Sequence, residues 1–232
     1  MRIVEAAGTI FLALSTARIA LGQYGLSQNE YDPPEGHERV LFVIPAFEIT
    51  NKQAPPPYTP KEKLMLSSRQ VFDPFIWVAT GIQTGFSQAD KEFPEYGQGT
   101  IGFGKRYGAE MLDTIDGGLA STAFRIMLKQ DPRYFRLGHG SIKRRIAYSL
   151  GQEFITRGDS GKREFNWSRV LGSLASASLS NLYYPPPNRG LGLTMNRFAL
   201  GFLWDPSGLL MDEFWPDIDR RMARFVHRFS GH

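Results

Sequence analysis

The sequence predicts a mainly α-helical fold: a compact bundle of about six or seven helices with small-residue seams, and one short β-hairpin or long turn near residues 154–167. Three observations predict it. Helix start signals recur along the chain, apolar residues follow them at helical spacing, and prolines or glycines end the resulting segments. The 232 residues, of which 42% are hydrophobic and 22% charged, suffice for one buried domain.

The N-terminus has the pattern of an export signal, which we place at residues 1–22. Met1-Arg2 precedes an apolar stretch centred on Gly8–Ala17, and small residues at Ala20 and Gly22 then offer a cleavage site. An uncleaved amphipathic N-terminal helix is the alternative. We therefore expect an exported bacterial protein, either periplasmic or peripherally associated with a membrane.

Residues 23–58 read as a proline-rich extended arm, in which only Arg39–Ile44 has strand character. A single helical domain over residues 59–232 follows. Its expected helices run from Thr59 to about Val71, from Asp73 past Phe86, from the glycine stretch near Gly97 to about Gln130, from Ser141 to about Ile155, from Ser168 to the prolines at Pro185, and over Leu191–Trp204, Pro206–Phe214 and Asp217–Phe229.

Two spacings of small residues predict close helix packing. Gly104 and Gly108 are four residues apart, and Gly172, Ser176 and Ser180 form a second series with the same step. Small side chains stacked on one helix face let a neighbouring backbone approach.

Several classes of site are excluded or disfavoured by composition. The chain has no cysteine, which removes disulfides, thiolate nucleophiles and iron–sulfur clusters, and its four histidines show no metal-ligand spacing. The segment Gly97–Gly104 matches a dinucleotide fingerprint, but a charged stretch with Pro94 precedes it where a buried strand is required. We expect no cofactor, no metal, and neither nucleotide nor nucleic acid as a partner.

No uninterrupted apolar run outside the N-terminus is long enough to span a membrane, so we expect a protein that does not cross one. Interfacial attachment stays open through the C-terminal stretch 217–229, where apolar residues including Ile218 and Met222 share one helical face. An ordinary amphipathic terminal helix is the alternative.

The third predicted helix carries the candidates for catalysis. Arg106, Glu110 and Asp113 follow one another at helical spacing and so share a stripe, with Asp116 further along. If the stripe faces inward, it forms either a buried ion network or a carboxylate site. A salt-bridged helix face without catalysis is the alternative.

A second group of candidates is basic. Its members are predicted to bind an anion, and they lie between residues 133 and 157: Arg133, Arg136, Lys143, Arg144, Arg145 and Arg157. The alternative is a solvated face with some buried arginine pairs.

Five motifs together resemble an uncharacterised family of exported bacterial envelope proteins. They are GKRYG at Gly104–Gly108, DPRYF at Asp131–Phe135, TRGDSGK at Thr156–Lys162, SNLYYP at Ser180–Pro185 and EFWPDI at Glu213–Ile218. The similarity spans roughly Phe72 to Arg220. It implies a signal peptide and an envelope location, and it brings no activity, cofactor or catalytic residue with it.

Two functional hypotheses follow. The first is a non-enzymatic envelope protein with a structural or interaction role, whose basic segment meets an anionic lipid, a glycan or a protein partner. The second is a small envelope hydrolase or transferase that uses Glu110 and Asp113 as carboxylates, with Arg106, Arg133 or Arg157 as anion clamps.

Overall fold

A computed structural model describes residues 55–230, together with the short segments 39–40, 44–45 and 49–50. The predicted signal peptide, residues 1–22, and most of the predicted arm, residues 23–58, lie outside the described residues. The described chain is mainly helical, which confirms the predicted fold class.

Six helices make up the described bundle: α1 (Pro60–Val71), α2 (Pro74–Ala89), α3 (Gly99–Met127), α4 (Ile142–Gly151), α5 (Trp167–Leu179) and α6 (Leu191–Ser230). Short 3₁₀ turns occupy Pro94–Tyr96, Ser180–Leu182 and Pro186–Asn188. The long helix α3 lies at the centre, because α1, α2 and α5 all pack against it, and α6 packs on α4 and α5.

The first two helices begin where the sequence predicts. Thr59 and Glu62 form a reciprocal capping box at the start of α1, with Pro60 in the first turn. The Asp73 carboxylate accepts a hydrogen bond from the Phe75 amide at 2.9 Å and caps α2. Each cap satisfies a backbone amide that the helix itself leaves without a partner.

One of the two predicted small-residue seams is confirmed. A Cβ at Gly172 of α5 would lie 2.6 Å from the Ser121 Cα of α3, and a Cβ at Gly117 would lie 3.5 Å from the Ser176 hydroxyl oxygen. The other prediction is wrong: Cβ atoms at Gly104 and Gly108 would meet nothing within 4 Å. These two glycines face away from the described neighbours of α3.

The C-terminal part of the chain departs most from the prediction, because three expected helices form the single helix α6 with Pro206 and Pro216 inside it. Proline removes one backbone donor and kinks a helix, but it need not end one when other groups take over the freed carbonyls. Pro216 cannot donate to the carbonyl of Asp212, one turn earlier. The next carbonyl, that of Glu213, accepts hydrogen bonds from Arg136 Nε at 2.8 Å and from Arg145 Nη2 at 2.7 Å, and these bonds hold this part of α6 against the preceding segments.

The predicted hairpin is present, and it shortens the helix before it. Strands β5 (Ile155–Arg157) and β6 (Arg163–Phe165) pair in antiparallel register, and α4 therefore ends at Gly151 rather than at Ile155. Helix α5 starts two residues earlier than expected, because Asn166 and not Ser168 is its cap.

Four further pairs of residues have strand geometry. β1 (Arg39–Val40) and β2 (Ile44–Pro45) pair with each other, so the single strand predicted over Arg39–Ile44 is wrong. β3 (Ile49–Thr50) runs parallel to β4 (Tyr134–Phe135), which joins this part of the arm to the domain.

The seam between α3 and α5 generates a stability prediction. We expect Gly172→Ala to lower the free energy of unfolding by about 1–3 kcal/mol, because the new methyl group overlaps the Ser121 backbone. The same substitution at Gly104, where the space is open, should raise it by about 0.5–1 kcal/mol through helix propensity. Thermal unfolding followed by circular dichroism measures both, and equal stability of the two variants would contradict the seam.

Candidate functional site

The predicted catalytic carboxylates lie together in a cluster that we call the carboxylate–tyrosine cluster, formed by Glu110, Asp113, Asp116, Tyr183 and Tyr184. The first three belong to α3, and the two tyrosines follow the 3₁₀ turn at the end of α5. Their juxtaposition depends on the seam, because close packing of α5 on α3 carries the segment after α5 across the middle of α3.

Short hydrogen bonds hold this cluster. Asp113 accepts from the hydroxyls of Tyr183 and Tyr184, both at 2.6 Å, and Asp116 accepts from Tyr183 at 2.8 Å and from Ser176 at 2.6 Å. The Tyr183 hydroxyl has one proton and can donate it to one carboxylate at a time. A proton on Asp113 or Asp116 would supply the second hydrogen bond.

The pKa values of the cluster agree with such a shared proton. Burial raises the pKa of Asp113 and of Asp116, while the tyrosine and serine hydrogen bonds act against that rise. Burial and the neighbouring carboxylates raise the pKa of Tyr183 and Tyr184 well above the usual range. The tyrosines are therefore neutral donors in this cluster.

Glu110 stands apart from the other carboxylates because it accepts from a different helix. The Thr84 hydroxyl of α2 donates to Glu110 at 2.8 Å. Burial, with contributions from the negative charges of Glu92 and Asp113, raises the pKa of Glu110 to about 7. The side chain thus exchanges a proton near neutral pH, which general acid–base chemistry requires.

Arg106, the third predicted catalytic residue, does not join the carboxylates. Its guanidinium is buried and donates to three backbone carbonyls of the loop before α3: Glu92 at 2.6 and 2.9 Å, Phe93 at 3.1 Å and Gly97 at 2.7 Å. Phe93 has a φ of 50°, a conformation that is uncommon for a residue with a side chain. Arg106 fixes this loop.

The same loop contains the dinucleotide fingerprint. A 3₁₀ turn, Pro94–Tyr96, precedes Gly97, so the predicted lack of a buried strand at this point is confirmed. A Cβ at Gly102 would collide with the carbonyl group of Gly97. Close contact between loop and helix accounts for this glycine.

The six predicted anion-binding residues do not form one surface. Lys143 and Arg144 are exposed in the first turn of α4. Arg133 is buried and pairs with Asp131 at 2.6 Å, while the Arg157 guanidinium lies 4.1 Å from the centre of the Phe135 ring. Arg136 and Arg145 belong to a buried network.

We call that network the Glu213 network: Glu213, Asp217, Arg136, Arg145 and Tyr134. The carboxylate of Glu213 is fully buried and accepts from Arg145 Nε at 2.6 Å, from the Tyr134 hydroxyl at 2.9 Å, and from two backbone amides. Asp217 pairs with Arg136 at 2.7 Å and with Arg145 at 2.6 Å. Burial opposes ionisation of Asp217, but the two arginines lower its pKa below the ordinary value.

A third group of polar contacts joins α1 to the hairpin. The buried Lys63 ammonium lies 2.8 Å from both Asp159 carboxylate oxygens and donates to the Gln130 carbonyl at 2.9 Å. The Gln130 side chain donates to Glu164 and Phe165 and accepts from the Ser168 amide, each at 2.8 Å. Gln130 thereby connects the end of α3, the hairpin and the start of α5.

The sequence pattern identified the stripe on α3 but not these partners. Each of the five motifs contributes a residue to one of the groups: Arg106 to the loop before α3, Asp131, Asp159 and Glu213 to ion pairs, and Tyr183 to the carboxylate cluster. Their presence in the motifs was the sequence feature that singled these residues out. Their spacing in the chain did not indicate which residues they contact.

The exposed surface differs in both charge and polarity from the interior. Among the described residues, ten Lys or Arg side chains are exposed, against three exposed acidic side chains, Glu62, Glu92 and Glu95. In the same part of the chain, 23 large apolar side chains are exposed and nine hydrophobic residues are buried. The outside of this bundle is basic and apolar, whereas its interior is rich in polar groups.

Membrane spans and metal sites can both be assessed for the described residues. No helix within them combines the length and hydropathy needed to cross a membrane, and no group of three or more metal-ligating side chains is arranged around a common point among them. Comparison with protein-family models, with curated proteins and with solved structures found no match to the chain.

The Glu213 network predicts a large stability effect. We expect Glu213→Gln to lower the free energy of unfolding by about 3–5 kcal/mol, because it removes the fully buried one of the two carboxylates that pair with the buried Arg145. Glu92→Gln is the matched control, since it removes an exposed carboxylate, and it should change stability by less than about 0.5 kcal/mol. Urea unfolding measures both variants. A Glu213→Gln chain as stable as the control would contradict the role of this network.

Glu110 predicts a pH dependence with a defined sign. Its folded pKa of about 7 exceeds its ordinary value of 4.5, so the folded state holds the proton more tightly than the unfolded chain does. The resulting contribution to stability is complete below pH 4.5 and is lost as pH rises to about 7. Thermal unfolding across this range should show that loss in the wild type and not in Glu110→Gln. Parallel pH profiles of the two proteins would contradict the raised pKa.

Proposed function

We propose that this protein is a non-enzymatic component of the bacterial cell envelope that binds an anionic surface. The observation that carries the proposal is the excess of exposed basic over exposed acidic side chains, ten against three among the described residues. Most of the acidic side chains whose exposure is described are buried or half-buried, and this leaves the exposed charge basic. A surface of this kind attracts anions over several ångströms in ordinary salt.

The contacts of the interior polar groups support a structural role for the motif residues. Arg106, Asp131, Asp159 and Glu213 each contact groups of a neighbouring segment or of the turn that holds it. Residues used in this way fix the relative positions of helices and loops. Their presence in the motifs can therefore be explained without a substrate. Export, the signal peptide and the envelope location follow from the N-terminal pattern and from the family resemblance, and they are part of the proposal.

The exposed pair Lys143 and Arg144 provides a test on the binding side. We expect the double variant Lys143→Glu with Arg144→Glu to bind phosphatidylglycerol vesicles more weakly by at least about 2 kcal/mol, since each basic residue at an anionic surface contributes about 1 kcal/mol. Cosedimentation at low and high salt measures the loss. Gln83→Ser serves as the control, because it changes an exposed residue and leaves every charge in place. If the double variant binds as tightly as the wild type, Lys143 and Arg144 do not contact the anionic surface.

Cell fractionation tests the location. A mature N-terminus at or near Gln23, with the chain in the envelope fraction, supports the proposal. A chain that keeps Met1 and stays in the cytosol overturns it, together with what the family resemblance implies.

A second candidate function, an envelope hydrolase or transferase, is favoured by one observation, the pKa of about 7 at Glu110. Two others weigh against it. Arg106 is occupied by loop carbonyls, and Arg133 is buried in a pair with Asp131 at 2.6 Å. Both arginines are therefore engaged by groups other than these carboxylates.

The second candidate predicts hydrolysis of p-nitrophenyl ester, phosphate or glycoside substrates with a rate that changes through about pH 7, the pKa of Glu110. Glu110→Gln should abolish that activity, whereas Glu95→Gln, which removes an exposed carboxylate, should leave it in place. If all three substrates are hydrolysed only at the background rate, the protein is not a hydrolase of esters, phosphates or glycosides of this kind.

A further inference from the structure

We propose that the outer face of α2, formed by Val78, Ile82 and Phe86, inserts into the boundary between the headgroups and the acyl chains of an anionic lipid bilayer. The inference rests on the proposed function and deepens it, because it names lipid as the anionic partner and α2 as the element that enters it.

The two sides of α2 are reversed relative to those of a helix on a water-soluble domain. The side chains that face the bundle are Thr80, Thr84 and Ser87, all of which are buried. The outer face is apolar, and its three side chains, Val78, Ile82 and Phe86, are between 43% and 62% exposed. In water the apolar side of an amphipathic helix faces the core, so this arrangement fits an apolar medium outside.

The charge pattern of α2 matches that placement. No acidic or basic residue occurs in Pro74–Ala89, and the 16 residues span about 24 Å. A hydrocarbon core is about 30 Å thick, so a helix of this length lies along the membrane surface rather than across it.

Exposed charges on either side of α2 in the chain balance one another. Arg69 and Lys91 are exposed basic residues, and Glu92 and Glu95 are exposed acidic residues just after the helix. Across the described surface, however, the basic excess of ten to three has the sign that anionic headgroups attract. Charge therefore attracts the bundle as a whole, and the uncharged outer face of α2 is the part that inserts.

Lipid fits the outer face better than a second copy of the chain does. A standard protein contact buries about 800 Å² on each partner, which covers one patch. Here each of the six described helices exposes at least one large apolar side chain, from Leu64 on α1 and Leu150 on α4 to Trp167 on α5 and Leu191 on α6. A fluid of acyl chains can accommodate apolar groups that are spread in this way.

The absence of cysteine permits a direct test with single nitroxide labels on the full chain. Ile82→Cys places the label on the outer face, and Ser160→Cys places it on the exposed turn of the hairpin. With vesicles of phosphatidylglycerol and phosphatidylethanolamine, we expect the label at 82 to gain access to oxygen and lose access to a water-soluble nickel chelate. The label at 160 should stay accessible to the chelate.

A binding measurement accompanies the labels. The double variant Val78→Ser with Ile82→Ser should partition into the same vesicles at least about tenfold more weakly, because it removes apolar area from the inserted face. Gln83→Ser is the matched control, since it changes an exposed polar residue of the same helix, and it should bind like the wild type. High salt should weaken the first encounter but should not release chains that have inserted.

Three results would overturn the inference. A label at position 82 that stays accessible to the nickel chelate on vesicles excludes insertion, and so does equal partitioning of the double variant and its control. Protection of that label without lipid, with a doubling of mass in sedimentation, assigns the face to a second copy. A chain found in the cytosol overturns the proposed function instead, so the two failures are distinguishable.

Discussion

Ionisable groups in the interior of this bundle need hydrogen-bond partners, and that requirement determines how the segments of the chain meet. Glu213 is the clearest case, since one buried carboxylate of α6 accepts from Tyr134, from Arg145 and from two amides that follow β4. Desolvating a carboxylate is costly unless such donors surround it, so the donors and the acid can be buried only together. The contacts of Lys63 with Asp159 and of Arg106 with its loop repeat the principle elsewhere.

This polar interior also explains the character of the outside. Carboxylates that pair internally leave the exposed charge basic, and threonines and serines that face α3 leave the apolar side chains of α2 facing outward. The small residues of the seam contribute in a third way, because Gly172 lets α5 approach α3 closely enough to bring Tyr183 and Tyr184 onto Asp113. The packing of α2 and α5 on α3 thus determines both the apolar outer face of α2 and the carboxylate–tyrosine cluster.

Local signals in the sequence were enough to predict the helical class, the caps at Thr59 and Asp73, the hairpin and the seam at Gly172. They failed where tertiary contacts decide. Pro206 and Pro216 read as helix ends, yet α6 continues through both, with arginines from other segments bonding the Glu213 carbonyl. Glu110 and Asp113 were found as a stripe, but the tyrosines that bind Asp113 are 70 and 71 residues away in the chain, beyond any periodic pattern.

The long separations inside the Glu213 network have a consequence for folding. Tyr134 and Arg145 precede their shared acceptor by 79 and 68 residues, so the loop that closes is nearly half of the helical domain. Closing a loop of that length costs entropy before any contact repays it. During synthesis, Arg136 after β4 and Arg145 of α4 therefore emerge well before the acid with which they are buried. Docking of α6 is the step that completes the core.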